Sequence, residues 1–155
     1  MIHEFVKNIF IKAAAGSDKN ELQKKSSDVQ VATCALFLEM AKIDNQFTDE
    51  ELETILSILK DKYGLSREHA DVLMKEAEEG LNNSVDLWQF ASLINEHYSI
   101  EEKLEIIELL WRIVFVDGKM NRYEDYLMHK LTILLRLSDS QLIDAKLRVL
   151  HGSGS

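Results

Sequence analysis

Two stretches of this 155-residue chain, Val29 to Ile43 and Leu104 to Val116, are apolar around nearly the whole circumference of a helix. The first carries Val31, Cys34, Leu36, Phe37, Leu38 and Met40. The second carries Ile106, Ile107, Leu109, Leu110, Trp111, Ile113, Val114 and Phe115. Neither run reaches the ~20 residues that span a bilayer. A helix with so little polar surface belongs in the middle of a bundle, wrapped by others. The chain has no proline, and three of its six glycines, Gly16, Gly152 and Gly154, lie near the ends. A loop-rich or all-β fold leans on both residues at its turns. The reading is therefore an all-α bundle, of a size that suits one domain.

Helix starts are punctuated by capping boxes, in which a Ser, Thr or similar acceptor precedes a Glu or Gln by three residues. The sequence offers Ser27…Gln30, Thr48…Glu51, Ser99…Glu102, Asn121…Glu124 and Ser138…Gln141. Ser66 opens a weaker start, and Ser84 or Asp86 another. Apolar stripes at helical spacing follow, such as Leu52, Ile55, Leu56 and Leu59, or Leu127, Leu131, Leu134 and Leu135. These signals predict eight helices near 2–14, 28–43, 49–62, 67–81, 86–97, 100–116, 122–136 and 139–149. Gly64 suits the left-handed position that ends the third. The helix over 2–14 is amphipathic, with Ile2, Phe5, Val6, Ile9 and Phe10 on one face. It reads as packing on the domain, docking to a membrane or partner being its other use. The residues His151 to Ser155 read as a linker or frayed tail outside the fold.

The two apolar helices end alike. One runs Met40-Ala-Lys-Ile-Asp44-Asn-Gln-Phe-Thr-Asp-Glu-Glu51, the other Ile113-Val-Phe-Val-Asp117-Gly-Lys-Met-Asn-Arg-Tyr-Glu124. Each has an Asp, a turn, a capping residue, and a Glu seven positions after the Asp. Each continues through a helix into Leu-Ser (Leu65-Ser66; Leu137-Ser138) and another helix. The expectation is one domain over 1–150, with repeat halves near 28–81 and 100–149 related by a pseudo-two-fold and joined by the helix 86–97.

Asp44 and Asp117 sit where the helix dipole is negative, a place that disfavours a carboxylate by ~0.3–1 kcal/mol. Two explanations stand. Asp-Asn and Asp-Gly are turn dipeptides whose side chain accepts a local N–H, and Glu51 and Glu124 are capping residues. Alternatively each Asp and its Glu hold a hard cation, Ca2+, Mg2+ or Mn2+, through carboxylate oxygens. An EF-hand does not fit: counted from Asp44 and Asp117, the closing position holds Ile55 and Met128, and the sixth holds Asp49 and Arg122. Glu39 aligns with Arg112 in the repeat, so the two either pair between the central helices or each point outward. Glu108 stands one turn before Arg112, the spacing of a helical ion pair.

A net charge of −9 and a pI near 5.0 argue against nucleic acid or an anionic membrane as partner. The single cysteine, Cys34, leaves no intramolecular disulfide or cysteine zinc site and points to a reducing compartment. His3, His69, His97, His129 and His151 show no zinc spacing. No phosphate-cradling loop, Gly-x-Ser-x-Gly elbow or His-Glu-x-x-His is present. Met40, Met120, Trp88, Trp111 and Phe115 read as core residues.

The doubled pattern of apolar helix, Asp-Asn or Asp-Gly, capping residue and Glu resembles the TerB-like family, named for tellurite resistance. Val85-Asp86-Leu87 and the segment from Glu108-Leu-Leu-Trp111 to Asp117-Gly118 look like its uncharacterised bacterial branch. The likeness covers about 29–149. It implies an all-helical, bacterial, cytoplasmic protein with clustered acidic residues proposed to bind divalent cations, in stress response or signalling. The same module is fused to a J-domain in some membrane-anchored co-chaperones; here no His-Pro-Asp motif and no anchor accompany it. The expected function is thus a non-enzymatic acidic module that binds a divalent cation at Asp44, Glu51, Asp117 and Glu124, and an unnamed protein partner. The alternatives are a metal-dependent hydrolase using the same carboxylates and a plain interaction bundle without metal.

Overall fold

The computed structural model describes residues 18–43, 48–83, 86–117 and 122–152. Among them are seven α-helices and no strand: α1 (Asp18–Lys42), α2 (Asp49–Tyr63), α3 (Arg67–Asn82), α4 (Leu87–His97), α5 (Ile100–Val114), α6 (Arg122–Leu134) and α7 (Asp139–Gly152). A single 3-10 turn, Phe115–Asp117, extends α5. The amphipathic segment 2–14 lies outside the described residues.

Local chemistry sets most of the helix ends. The Thr48 hydroxyl accepts from the Glu51 N–H at 3.1 Å, while the Glu51 carboxylate accepts from the Thr48 N–H at 3.2 Å. Ser99 with Glu102 and Ser138 with Gln141 make the same reciprocal pair at the heads of α5 and α7. Ser66 caps α3 by accepting from the His69 N–H at 3.1 Å, and Asp86 caps α4 by accepting from Trp88. Each bond satisfies an N–H that the first turn leaves unpaired.

Several boundaries differ from the sequence reading. α1 begins at Asp18 rather than near 28, so Ser27 lies inside a helix and not at its start. The residues ahead of it, among them Glu21, Leu22, Gln23, Lys24 and Lys25, are strong helix formers that carry the helix through without an apolar stripe. α5 changes to 3-10 geometry at Phe115, whose N–H is shared by the Trp111 and Ile113 carbonyls. α7 continues through His151 and Gly152, two residues of the expected tail.

α6 stops at Leu134 because Arg136 turns left-handed, at φ +61°. The Leu137 N–H then reaches the Thr132 carbonyl at 2.9 Å and the Arg136 N–H the Ile133 carbonyl at 3.0 Å, a Schellman closure. α2 also ends on a left-handed residue, Gly64, at φ +63°. In both places a Leu and a capping Ser follow. The ammonium of Lys103, buried on α5, also closes α6: it donates to the Leu135 carbonyl at 2.8 Å and to Asn95 at 3.2 Å, and Asn95 donates to the Leu134 carbonyl at 2.9 Å. Burial, and then the nearby charge of Arg136, hold Lys103 below the usual lysine pKa.

α1 and α5 supply the core. Leu36, Phe37, Leu38, Ile106, Ile107 and Leu110 are wholly buried. The two helices touch each other, yet α1 lies most extensively against α3 and α4, and α5 against α7. In each triplet, α1-α2-α3 and α5-α6-α7, the first helix packs chiefly on the third and less on the second. Trp111 links α5 to α7. Its indole N–H donates to the Leu142 carbonyl at 3.1 Å, its ring stacks on Phe115 at 5.6 Å, and Lys146 lies over it. Met40 is core as expected, whereas Trp88 is 60% exposed. The stripe of α4 that packs inward is Phe90, Ala91 and Ile94, and Trp88 falls off it. Met120 is outside the described residues.

Candidate functional site

The acidic turns come first. Asp44 lies outside the described residues. Glu51 is committed to the α2 capping box. Asp117 is the last residue of the 3-10 turn, and that turn packs against α2. The helix that carries Glu51 and the turn that carries Asp117 are therefore neighbours across the two halves of the chain. Glu124, in the first turn of α6, is only 5% exposed. A carboxylate that deep requires a partner, and Glu124 is engaged rather than free. Among the described residues no group of three or more His, Cys, Asp or Glu is arranged to hold a metal ion. The expected quartet includes Asp44, outside that set.

An open groove of about 830 Å3 runs beside the 3-10 turn. Thr54 of α2, one turn after Glu51, and Phe115, two residues before Asp117, both line it. Leu109, Arg112 and Val149 line it as well. Its two carboxylates are neutralised: Glu105 pairs with Lys62 at 3.0 Å, and Glu108 pairs with Arg148. The latter pair replaces the Glu108–Arg112 contact expected from helical spacing. Arg112 is exposed and makes no ion pair among the described residues, and Glu39, half-buried, is not its partner. Sequence reasoning missed the groove because its walls come from three helices and a turn.

The remaining reactive groups are structural. Cys34 is fully buried, and burial pushes its thiol far above the usual range, so it is not a nucleophile. Tyr63 and Tyr98 share a 2.7 Å hydroxyl contact, with Lys62 near both rings at 5.5 and 5.6 Å. Burial, foremost, raises both phenols. His129 stands between Asp125 at 3.7 Å and Asp139 at 3.8 Å, all three well exposed.

The sequence profile of the family described as "Tellurite resistance protein TerB" matches residues 30–147, from the buried part of α1 to the body of α7. The chain belongs to the TerB family. The match takes in both acidic turns and most of the groove's lining, Arg148 and Val149 lying just beyond it. Among solved structures, this TerB chain is similar to the crystal structure of a protein of unknown function, PG1108, from Porphyromonas gingivalis W83. The TM-score is 0.60 at 18% identity, over 80% of this chain and 94% of that one. At that identity the likeness speaks for the fold. No curated protein matches the chain. No helix among the described residues is long and apolar enough to cross a membrane.

Proposed function

We propose that this TerB protein is a non-enzymatic acidic module, built of halves 28–81 and 100–149, that binds a divalent cation at its acidic turns. Ca2+, Mg2+ and Mn2+ suit the oxygen donors of Asp44, Glu51, Asp117 and Glu124. In this reading the cation state sets how the module meets a protein partner in a cytoplasmic stress-response or signalling setting. One observation carries the reading: the 3-10 turn ending in Asp117 packs on α2, whose first turn holds Glu51. Glu51 and Asp117, far apart in sequence, thereby belong to neighbouring elements. The hydrolase alternative would use the same four carboxylates, which leaves no general base separate from the ligands, and the sequence has no phosphate-cradling loop.

Thermal melting with and without Ca2+ or Mn2+ tests the reading. A ligand at a hundred times its dissociation constant stabilises by about 2.7 kcal/mol, a readable rise in Tm. Glu51→Gln keeps the capping box, since Gln serves there as Glu does, but removes the charge. Glu124→Gln, Asp44→Asn and Asp117→Asn remove the other three. Each variant should lose the rise. If neither metal moves the Tm at millimolar concentration, the carboxylates are caps and turns only.

A further inference from the structure

The surface of the α6–α7 hairpin is unlike the rest of the molecule in two respects. Six of the nine large hydrophobic residues that are exposed among the described residues lie on it: Tyr123, Tyr126 and Ile133 on α6, and Ile143, Leu147 and Leu150 on α7. Their exposures run from 46% to 71%. On α7 the three are spaced four and three apart, a continuous stripe. It lies roughly 140° around the helix from Leu142 and Ala145, which face the core. α6 is built likewise, with Leu127, Met128 and Leu131 turned inward and the two tyrosines and Ile133 turned out. Each helix thus has a second apolar side that α5 does not cover. Isolated apolar residues on a surface need no explanation, whereas a contiguous set marks an interface.

The second respect is charge. From Arg122 to Gly152 the sequence has five Lys and Arg against four Asp and Glu, a net +1. The whole chain carries −9, so the remainder carries −10. Two copies of this molecule repel each other over almost any pair of facing surfaces. The hairpin is the region where that repulsion is absent and where apolar area is available to bury.

We propose that the outer face of α6–α7 is a self-association surface, on which a second copy of this chain packs as a two-fold dimer. The inference is independent of the cation reading. Two helices of this length, packed side by side, present a face of roughly 20 by 20 Å. That area is at the low end for a specific interface, so the dimer is weak and forms in the micromolar range.

Sedimentation velocity of the full chain, from about 10 μM to about 500 μM, tests this. The mass should rise from 17.8 kDa toward twice that value. The dimer should tighten severalfold between about 0.05 M and about 0.5 M NaCl, because salt screens the repulsion between the acidic bodies and leaves apolar contact intact. Leu147→Asp should abolish the dimer and Ile143→Ser weaken it at least tenfold, with the far-UV circular dichroism of both unchanged. Val72→Asp, at a site on α3 as exposed as Ile143, should leave it intact. A monomer at every concentration and salt overturns the proposal. So does association that weakens with salt, which would mark a charge-driven contact with an acidic partner surface. Association insensitive to both α7 variants, or equally sensitive to Val72→Asp, overturns it too.

Discussion

Arg136→Gly should make this protein more stable. Arg136 sits at φ +61°, and a left-handed residue with a Cβ costs roughly 1–2 kcal/mol. Glycine removes that cost but loses roughly 0.5–1 kcal/mol through the freedom it gives the unfolded chain. The exposed guanidinium contributes in both directions: it favours the α6 C-terminus by ~0.3–1 kcal/mol, and it repels the Lys103 ammonium that closes the same helix end. The net expectation is a gain of ~0.5–1 kcal/mol. Arg136→Ala removes the charge and keeps the strained backbone, so the gap between the two variants, ~1 kcal/mol, isolates the conformation. Gly64 is the mirror test. No atom lies within 4 Å of where its Cβ would stand, so Gly64→Ala should lose ~1 kcal/mol for backbone reasons alone. Urea unfolding followed by far-UV circular dichroism resolves these differences in the midpoint at constant m. If Arg136→Gly and Arg136→Ala unfold at the same urea concentration, left-handed strain at that joint is not what separates them, and the reasoning fails.

Trp111→Ala should cost ~3–5 kcal/mol, since it empties a buried ring site and abandons the bond to Leu142. Trp88→Ala, on an exposed ring, should stay within ~0.5 kcal/mol in the same denaturant assay. Alkaline pH should unfold the protein partly through Tyr63 and Tyr98. Their phenols are raised in the folded state, so an unfolded chain gives up protons near the ordinary tyrosine value of about 10 while the folded one does not. That contribution is present below pH 10 and lost above it. Tyr63→Phe should therefore lose less stability between pH 9 and 11 than the parent, and an equal loss would count against the buried pair. Far-UV circular dichroism should read well over about 60% helix, against the one-third typical of globular domains.

Helix starts were legible because capping is a conversation among four consecutive residues. Thr48 with Glu51, Ser99 with Glu102 and Ser138 with Gln141 need nothing from the rest of the chain. Ser27 shows the limit of the rule. The same four-residue signature is silent when a polar segment of high helix propensity runs into it from upstream. Trp88 departs from its expected core place for a different reason: aromatic content alone points to core, whereas the spacing of Phe90, Ala91 and Ile94 places Trp88 off the inward stripe. The Arg136 joint was half legible. Its Leu-Ser sequel matched that of Gly64, yet an arginine gives no hint of positive φ, which the Schellman bonds and the Lys103 closure impose from three helices.

The candidate site is the least legible part, and the reason is physical. A helical carboxylate has several cations within reach, and its own helix offers only one class of them. Glu108 had Arg112 one turn away and pairs instead with Arg148, forty residues on, because α7 crosses α5 there. The same choice faces Glu51 and Glu124. Glu51 satisfies its cap whether or not a cation is present, so its geometry is compatible with both uses. Glu124 differs: at 5% exposure it cannot rely on water to hold its charge. The capping glutamates of the other two boxes are less deep: Glu51 is half-buried and Glu102 exposed. The two halves therefore share a sequence pattern and differ in burial. If a cation binds at only one acidic turn, burial selects the one that Glu124 heads, and Glu124→Gln should then abolish the metal-induced rise in Tm where Glu51→Gln leaves it in place. Equal losses would mean that both turns serve a single ion.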